Sequence, residues 1–267
     1  MTYCCRSMEV RERRDRAPDV GRKPLRIASD SHLHGEVIAE HAFPEEHESL
    51  LGVLGGLDIP LRAAGPFTST GRPLRPKRHA RTIGGTKKPF LLPVDQGAMN
   101  KSIESALRSD GWTTQPIASG SFAAEAPSGL KGDFVRNKVF VEVEFGNIAS
   151  MFRDLFKFQI ANRARTGDVG ILVTATERLA KFFDSGVSSL EAAQRLLPFM
   201  AIGIQMPIWI IGIEPTDFSE IGERYEEMAN LCRENGLECH SFDTAFGARI
   251  GVEEAFVPTA ESSADDL

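Results

Sequence analysis

The chain has 267 residues with 31 basic and 37 acidic side chains, a formal net charge of -6 and a pI near 5.6. That balance excludes a histone-like polycation but leaves room for a locally basic cleft, because only the local field meets a phosphate backbone. With 42% apolar and 25% charged residues, the composition is that of a globular protein and excludes a wholly disordered chain.

Residues 1–26 mix arginines, acids and prolines without periodicity, which predicts a flexible basic or mixed arm. Charge between Arg6 and Arg26 stands where an apolar stretch would be needed, so no secretory signal is expected. Cys4, Cys5, Cys232 and Cys239 show no zinc spacing and predict a reducing, intracellular setting. A single domain is expected over residues 27–258, followed by an acidic tail over 259–267. It opens on Ser31-His32-Leu33-His34-Gly35-Glu36, whose two histidines lack a third ligand nearby and so predict no zinc site.

Glu45 to Leu54 has helical spacing through Leu50, Leu51 and Leu54. A Pro/Gly-rich loop then carries Arg72, Arg75, Lys77, Arg78, His79 and Arg81, readable as a solvated surface loop or a phosphate-contacting patch. Met99, Ile103 and Leu107 share one face of a helix over Gln96 to Asp110, closed by Gly111, with Trp112 packed beneath. Phe134 to Phe145 is the most strand-like part: Val139, Val141, Val143 and Phe145 alternate with Phe140, Glu142 and Glu144. Helices are expected over Met151 to Ile160, over Leu190 to Leu197 with Pro198 as the stop, and over Ser219 to Asn235. Val169 to Val173 and Met206 to Ile213 read as buried strands, and the second, the longest apolar run, is too short to span a bilayer. Helices alternating with strands predict an α/β fold, a central mixed sheet flanked by helices. No phosphate loop or dinucleotide glycine fingerprint occurs.

The chemistry centres on Asp133, Glu142 and Glu144. The two glutamates project from one strand face, about 6.5–7 Å apart along the backbone. A turn before Val139 would return Asp133 beside Glu142. Three converging acids repel one another, and a divalent cation with hard oxygen ligands resolves that repulsion. The alternative is that Glu142 and Glu144 line the wet face of an edge strand. The apolar neighbours Val139, Phe140, Val141 and Phe145 suit a central strand better.

Gly132-Asp133-Phe134 through Phe140-Val141-Glu142-Val143-Glu144-Phe145-Gly146-Asn147 resembles the active-site strand of type II restriction endonucleases of the BglII-like group, related in site architecture to BamHI. Similar order is seen in Asn100 to Leu107 with Gly111-Trp112, in Ser31-His32 with Glu36-Val37-Ile38, in Val187-Ser188-Ser189-Leu190 with Gln194, and in Ile208 to Glu214. The resemblance spans roughly residues 31–218 and implies a restriction-endonuclease-like PD-(D/E)xK core. This chain has Glu144 where the broader superfamily carries lysine; BamHI-like members have glutamate there and BglII has glutamine.

The resemblance implies site roles. Asp133, Glu142 and the Val143 carbonyl hold Mg2+, and Glu144 positions or deprotonates the attacking water or touches the ion. Gln115 orients the site, or is a plain surface glutamine. Glu104 approaches from the preceding helix, or faces solvent. Asn147 reads bases in the major groove, or simply makes a turn with Gly146. Ser188 and its neighbour Ser189 match a base-contacting loop; Ser188 could instead cap a helix, with Glu191 completing a capping box. Arg153, Lys157, Arg163 and Arg165 follow the active strand closely, a position that suits contacts to DNA phosphates or a dimer interface, or else they are solvated helix residues. The implied partners are double-stranded DNA, a second copy in a homodimer, and a cognate DNA methyltransferase that acts without direct contact. The implied setting is the prokaryotic cytoplasm, without membrane attachment. The implied activity is sequence-specific cleavage of a palindrome, GATC-centred with a 5′ overhang. A repair or structure-specific nuclease of the same fold, or a non-catalytic DNA-binding relative, is the alternative.

Overall fold

A computed structural model describes residues 25–63, 82–83, 86–87, 91–118, 130–183, 186–200 and 203–234. The arm up to residue 24, the basic loop apart from its two short strands, and the acidic tail lie outside the described residues. The chain divides into two compact units, residues 1–60 with 95–216 and residues 61–94 with 217–267.

The first unit is built on one sheet. Its strands are β1 (Leu25–His32), β4 (Thr113–Thr114), β5 (Phe134–Arg136), β6 (Val139–Val143), β7 (Val169–Ala175) and β8 (Ile208–Pro215). Among the described residues these six strands lie in the order β1-β8-β7-β6-β5-β4. The pairs β6–β7 and β7–β8 are parallel and the others antiparallel, so the sheet is mixed. The helices are α1 (Gly35–Ala42), α2 (Pro44–Gly55), α3 (Gln96–Ser109), α4 (Ile148–Arg163), α5 (Glu177–Ala180) and α6 (Leu190–Met200).

Helices cover both faces, which explains why β7 and β8 read as continuous apolar runs. On one face Phe140, Leu172, Ile208 and Ile210 pack with Met151, Leu155 and Phe158 of α4 and with Leu190, Ala193 and Leu197 of α6. On the other, α1 lies against β7 and β8, and His47 of α2 stacks on Trp209 with ring centroids 5.0 Å apart. Gly170 sets the closeness of α4 to the sheet, since a Cβ there would stand 2.8 Å from the Phe158 ring.

The expected strand over Phe134 to Phe145 is a hairpin. Its turn is Asn137-Lys138, with both residues left-handed at φ 43 and 68, as a two-residue turn matched to strand twist requires. The helix expected to stop at Pro198 runs on to Met200 with Pro198 inside it. Pro198 sits in the last turn, where its missing N–H removes only one terminal hydrogen bond. Ser189 caps this helix, its hydroxyl accepting from Ala192 N at 3.1 Å. The cap therefore falls one residue later than expected and lacks the acid of a capping box, because Ala192 stands at the third helical position, while Glu191 accepts from Glu177 N at 2.6 Å. β1 begins at Leu25, inside the expected arm.

In the second unit, β2 (Thr82–Ile83) and β3 (Thr86–Lys87) form a two-stranded antiparallel ribbon, and Tyr225 and Met228 of α7 (Ser219–Glu234) pack on Leu91. No helix among the described residues is long and apolar enough to cross a membrane.

Candidate active site

The β5–β6 hairpin does the positioning. Phe134 pairs with Val141, so the next position in the same register sets Asp133 opposite Glu142. Asp133 Oδ2 accepts a hydrogen bond from Val143 N at 2.9 Å. Its own carbonyl accepts from Gln115 N at 2.9 Å. The segment carrying Asp133 is thus held by neighbours on both sides.

Glu142 is 1% exposed. Its Oε2 accepts from Lys157 Nζ at 2.8 Å, while its Oε1 is buried and has no hydrogen-bond partner among the described residues. Lys157, itself 5% exposed, also reaches Asp154 Oδ1 at 2.8 Å. Glu144, two residues beyond Glu142, is turned toward Gly146 and α4. Its Oε1 accepts from Gly146 N at 2.5 Å, and Arg153 lies 3.9 Å from Oε2. Asp133 and Glu142 therefore meet, whereas Glu144 does not join them. Among the described residues no three His, Cys, Asp or Glu side chains form a group able to hold a metal.

Burial pushes Glu142 up to about 8, and the neighbouring Asp133 charge adds to the rise while Lys157 opposes it. Burial likewise raises Asp133 against the opposing Val143 hydrogen bond. It pushes Glu144 up to about 7, with Asp154 the next cause. For Lys157 burial acts downward, but the Glu142 charge and the hydrogen bonds to Asp154 and Glu142 outweigh it and raise the ammonium.

These shifts make stability depend on pH with a definite sign. Each of the three acids binds its proton more tightly in the folded chain than in the unfolded one, so folding takes up protons between the unfolded value of about 4.5 and about 8. Stability in chelator is then greatest at the acid end of that window and falls as pH rises through it. Thermal denaturation in EDTA is expected to give a lower melting temperature at pH 8 than at pH 6. A higher value at pH 8 would contradict this placement of the acids.

Beside the hairpin is a cavity of about 200 Å3 whose lining includes Asn100, Glu104, Gln115, Asp133 and Val143. The expected Glu104 and Gln115 thus open into the same space as Asp133. Gln115 holds a left-handed backbone at φ 53, a conformation that costs a non-glycine residue on the order of 1–3 kcal/mol and clusters at functional sites. Glu104 also pairs with Arg108 at 2.8 Å.

The expected DNA-contacting residues separate into two groups. Asn147 is exposed and caps α4, its Oδ1 accepting from Ala149 N at 2.8 Å. Arg153 is 58% exposed at its side chain. In contrast, Ser188 is fully buried and donates to the Glu144 carbonyl at 2.8 Å, an oxygen that Thr174 also reaches at 2.9 Å. Ser189 is buried as the cap of α6. Lys157, expected at phosphates, has its ammonium committed to two buried carboxylates, because α4 turns that face toward the sheet.

Asp154 is the residue that sequence reasoning misses. The buried stripe of α4 runs through Met151, Asp154, Leu155, Lys157, Phe158 and Ala161. Two charges inside an apolar stripe are the signal that marks them, since charged groups are rarely buried unless paired.

A family model described as restriction endonuclease BglII/BglIII matches residues 27–213. The crystal structure of restriction endonuclease BglII complexed with a DNA 16-mer is similar at 17% sequence identity, with a TM-score of 0.48, over 70% of this chain and 75% of that one. That of free BglII is similar at 17% identity, with a TM-score of 0.45, over 72% and 80%. No curated protein sequence matches.

Proposed function

The chain belongs to the restriction endonuclease BglII/BglIII family, and on that premise we propose that it is a Mg2+-dependent endodeoxyribonuclease cutting both strands of a short palindromic site. The observation that carries the reading is the Asp133–Glu142 pair: two carboxylates set opposite each other by one hairpin, with a buried Glu142 oxygen lacking a partner among the described residues. An orphaned buried carboxylate oxygen is costly, and a hard divalent cation is the ligand that suits it. Mg2+ uses one or two protein carboxylates, so two acids and the Val143 carbonyl fit it without a third acid.

When bound, the ion lowers the pKa of a coordinated water and offsets charge on the phosphoryl oxygens. Glu144, pushed up to about 7, accepts the water's proton near neutral pH once it leaves the Gly146 N–H that holds its Oε1 here. Gln115 and Glu104 orient groups entering the cavity they share with Asp133. Attack in line on phosphorus breaks the bond to the 3′ oxygen, leaving a 3′-hydroxyl and a 5′-phosphate. Asn147, exposed at the start of α4, contacts base edges, and Arg153 contacts phosphates. Ser188 and Ser189 serve the same loop from within, by fixing its backbone.

A palindrome has two-fold symmetry and calls for a closed dimer. Phe152 and Phe156, exposed at 37% and 58% one turn apart on α4, support such an association. The site is GATC-centred with a 5′ overhang, the setting is the prokaryotic cytoplasm, and a cognate methyltransferase protects host DNA. The test is digestion of methylation-free plasmid with Mg2+, sequencing of the cut ends, and light scattering of the free protein. Discrete symmetric ends from a dimer are expected. Random nicking by a monomer would reject the restriction reading in favour of a repair or structure-specific nuclease, and absence of cutting would reject both.

A further inference from the structure

Lys157 is a buried ammonium in a helix stripe otherwise facing the core. Removing such a group from water costs several kcal/mol, a cost offset only by close and well-oriented partners. Its partners are Glu142 Oε2 and Asp154 Oδ1, each at 2.8 Å. The helix that carries it is fixed in turn, with Phe158 seated over Gly170 and Met151 and Leu155 in the core. Charge-assisted bonds of this length are directional. They decide which oxygen of Glu142 is used and which is left.

We infer that Lys157 is a positioning residue of this site: it holds Glu142 by Oε2, so that Oε1 is the one oxygen this carboxylate offers to a divalent ion. The inference rests on the nuclease reading for its consequence in cleavage, though its geometry is independent of it. Asp154 completes the device. It holds Lys157 from the far side, so Glu142 is braced by one turn of α4. A purely structural ion pair would have the same burial but would not respond to a metal.

The experiment uses the full chain with labelled lysine side chains and follows the Lys157 13Cε and 15Nζ resonances, assigned by their loss in Lys157→Arg. Ca2+ added without DNA is expected to shift that signal in the wild type and leave it unmoved in Glu142→Gln. In cleavage, Lys157→Met is expected to lower kcat at saturating Mg2+ by about 100-fold, the scale of a small misplacement of a reacting group, with KM for DNA within about twofold. Lys157→Arg, which keeps the charge and the donors, is expected to recover about tenfold of that loss. A Lys157 signal unmoved by Ca2+ in the wild type overturns the inference, and this arm requires no variant to fold. Cleavage by a folded Lys157→Met within about threefold of wild type also overturns it. Failure of the wild type to cut DNA rejects the nuclease reading alone, since the Ca2+ shift is read separately.

Discussion

Replacing Asp133 by Asn or Glu142 by Gln is expected to lower Mg2+-dependent cleavage by about 10³-fold or more, equivalent to about 4 kcal/mol in activation free energy. Both changes preserve shape and remove charge. In Asp133→Asn the new amide oxygen can still accept from Val143 N, as Asp133 Oδ2 does at 2.9 Å, so the hairpin is retained. What is lost is one of two anionic ligands, and a hard cation binds a neutral amide far more weakly than a carboxylate. Stability should move the other way for Asp133→Asn. Burial raises this acid in the folded chain, so the neutral form removes a desolvation penalty. A melting temperature in EDTA at pH 8 equal to or above that of the wild type, together with lost cleavage, is the expected pair of results. Glu142→Gln leaves Lys157 with Asp154 as its remaining anion and gains less. Cleavage by Asp133→Asn within about tenfold of wild type would remove this acid from the reaction.

Gly35→Ala is expected to be the most damaging small change to the fold. The chain leaves β1 through Leu33 and His34, both left-handed at φ 49 and 60, and this bend sets the first residue of α1 directly on β8. A Cβ at Gly35 would stand 2.2 Å from the Ile208 carbonyl carbon and 2.4 Å from its oxygen. The obstacle is backbone in a central strand, so no side-chain rotation relieves it and the helix must shift. Overpacking of this kind costs about 3 kcal/mol or more, which for a chain of this size lowers the melting temperature by roughly 6–12 °C. Differential scanning calorimetry decides the matter, and a fall of less than about 2 °C would mean that α1 moves freely against the sheet.

These two expectations divide along what the sequence makes legible. Asp133 and Glu142 can be paired in advance because Val139 to Val143 alternates clearly and Asn137, a residue tolerant of left-handed backbone, stands between them. The buried strands β7 and β8 announce themselves as apolar runs. β1 does not. Leu25 to His32 has polar residues on both faces, and its identity comes from pairing with β8, far away in the chain, for which no local signal exists. The same limit applies to Lys157 and Ser188. A basic residue near a nuclease strand reads as a phosphate contact, and a serine in a loop reads as a base contact. Each is redirected by packing: α4 turns Lys157 onto Glu142, and the loop after α5 folds Ser188 under the Glu144 carbonyl. Glu104 and Gln115 are expected near the site only by resemblance, and the cavity they share with Asp133 follows from the neighbouring strand β4, too short to be seen as periodicity.

The hairpin also acts as a ruler. Side chains along a strand alternate faces with a period of two, so the parity of the interval between Asp133 and Glu142 decides whether the acids meet or part. The pairing therefore fixes the length of that interval, while Val139, Phe140 and Val141 within it are held separately by their burial. A single inserted or deleted residue, harmless in most surface turns, would here send one acid to the opposite side of the sheet unless a bulge absorbed it.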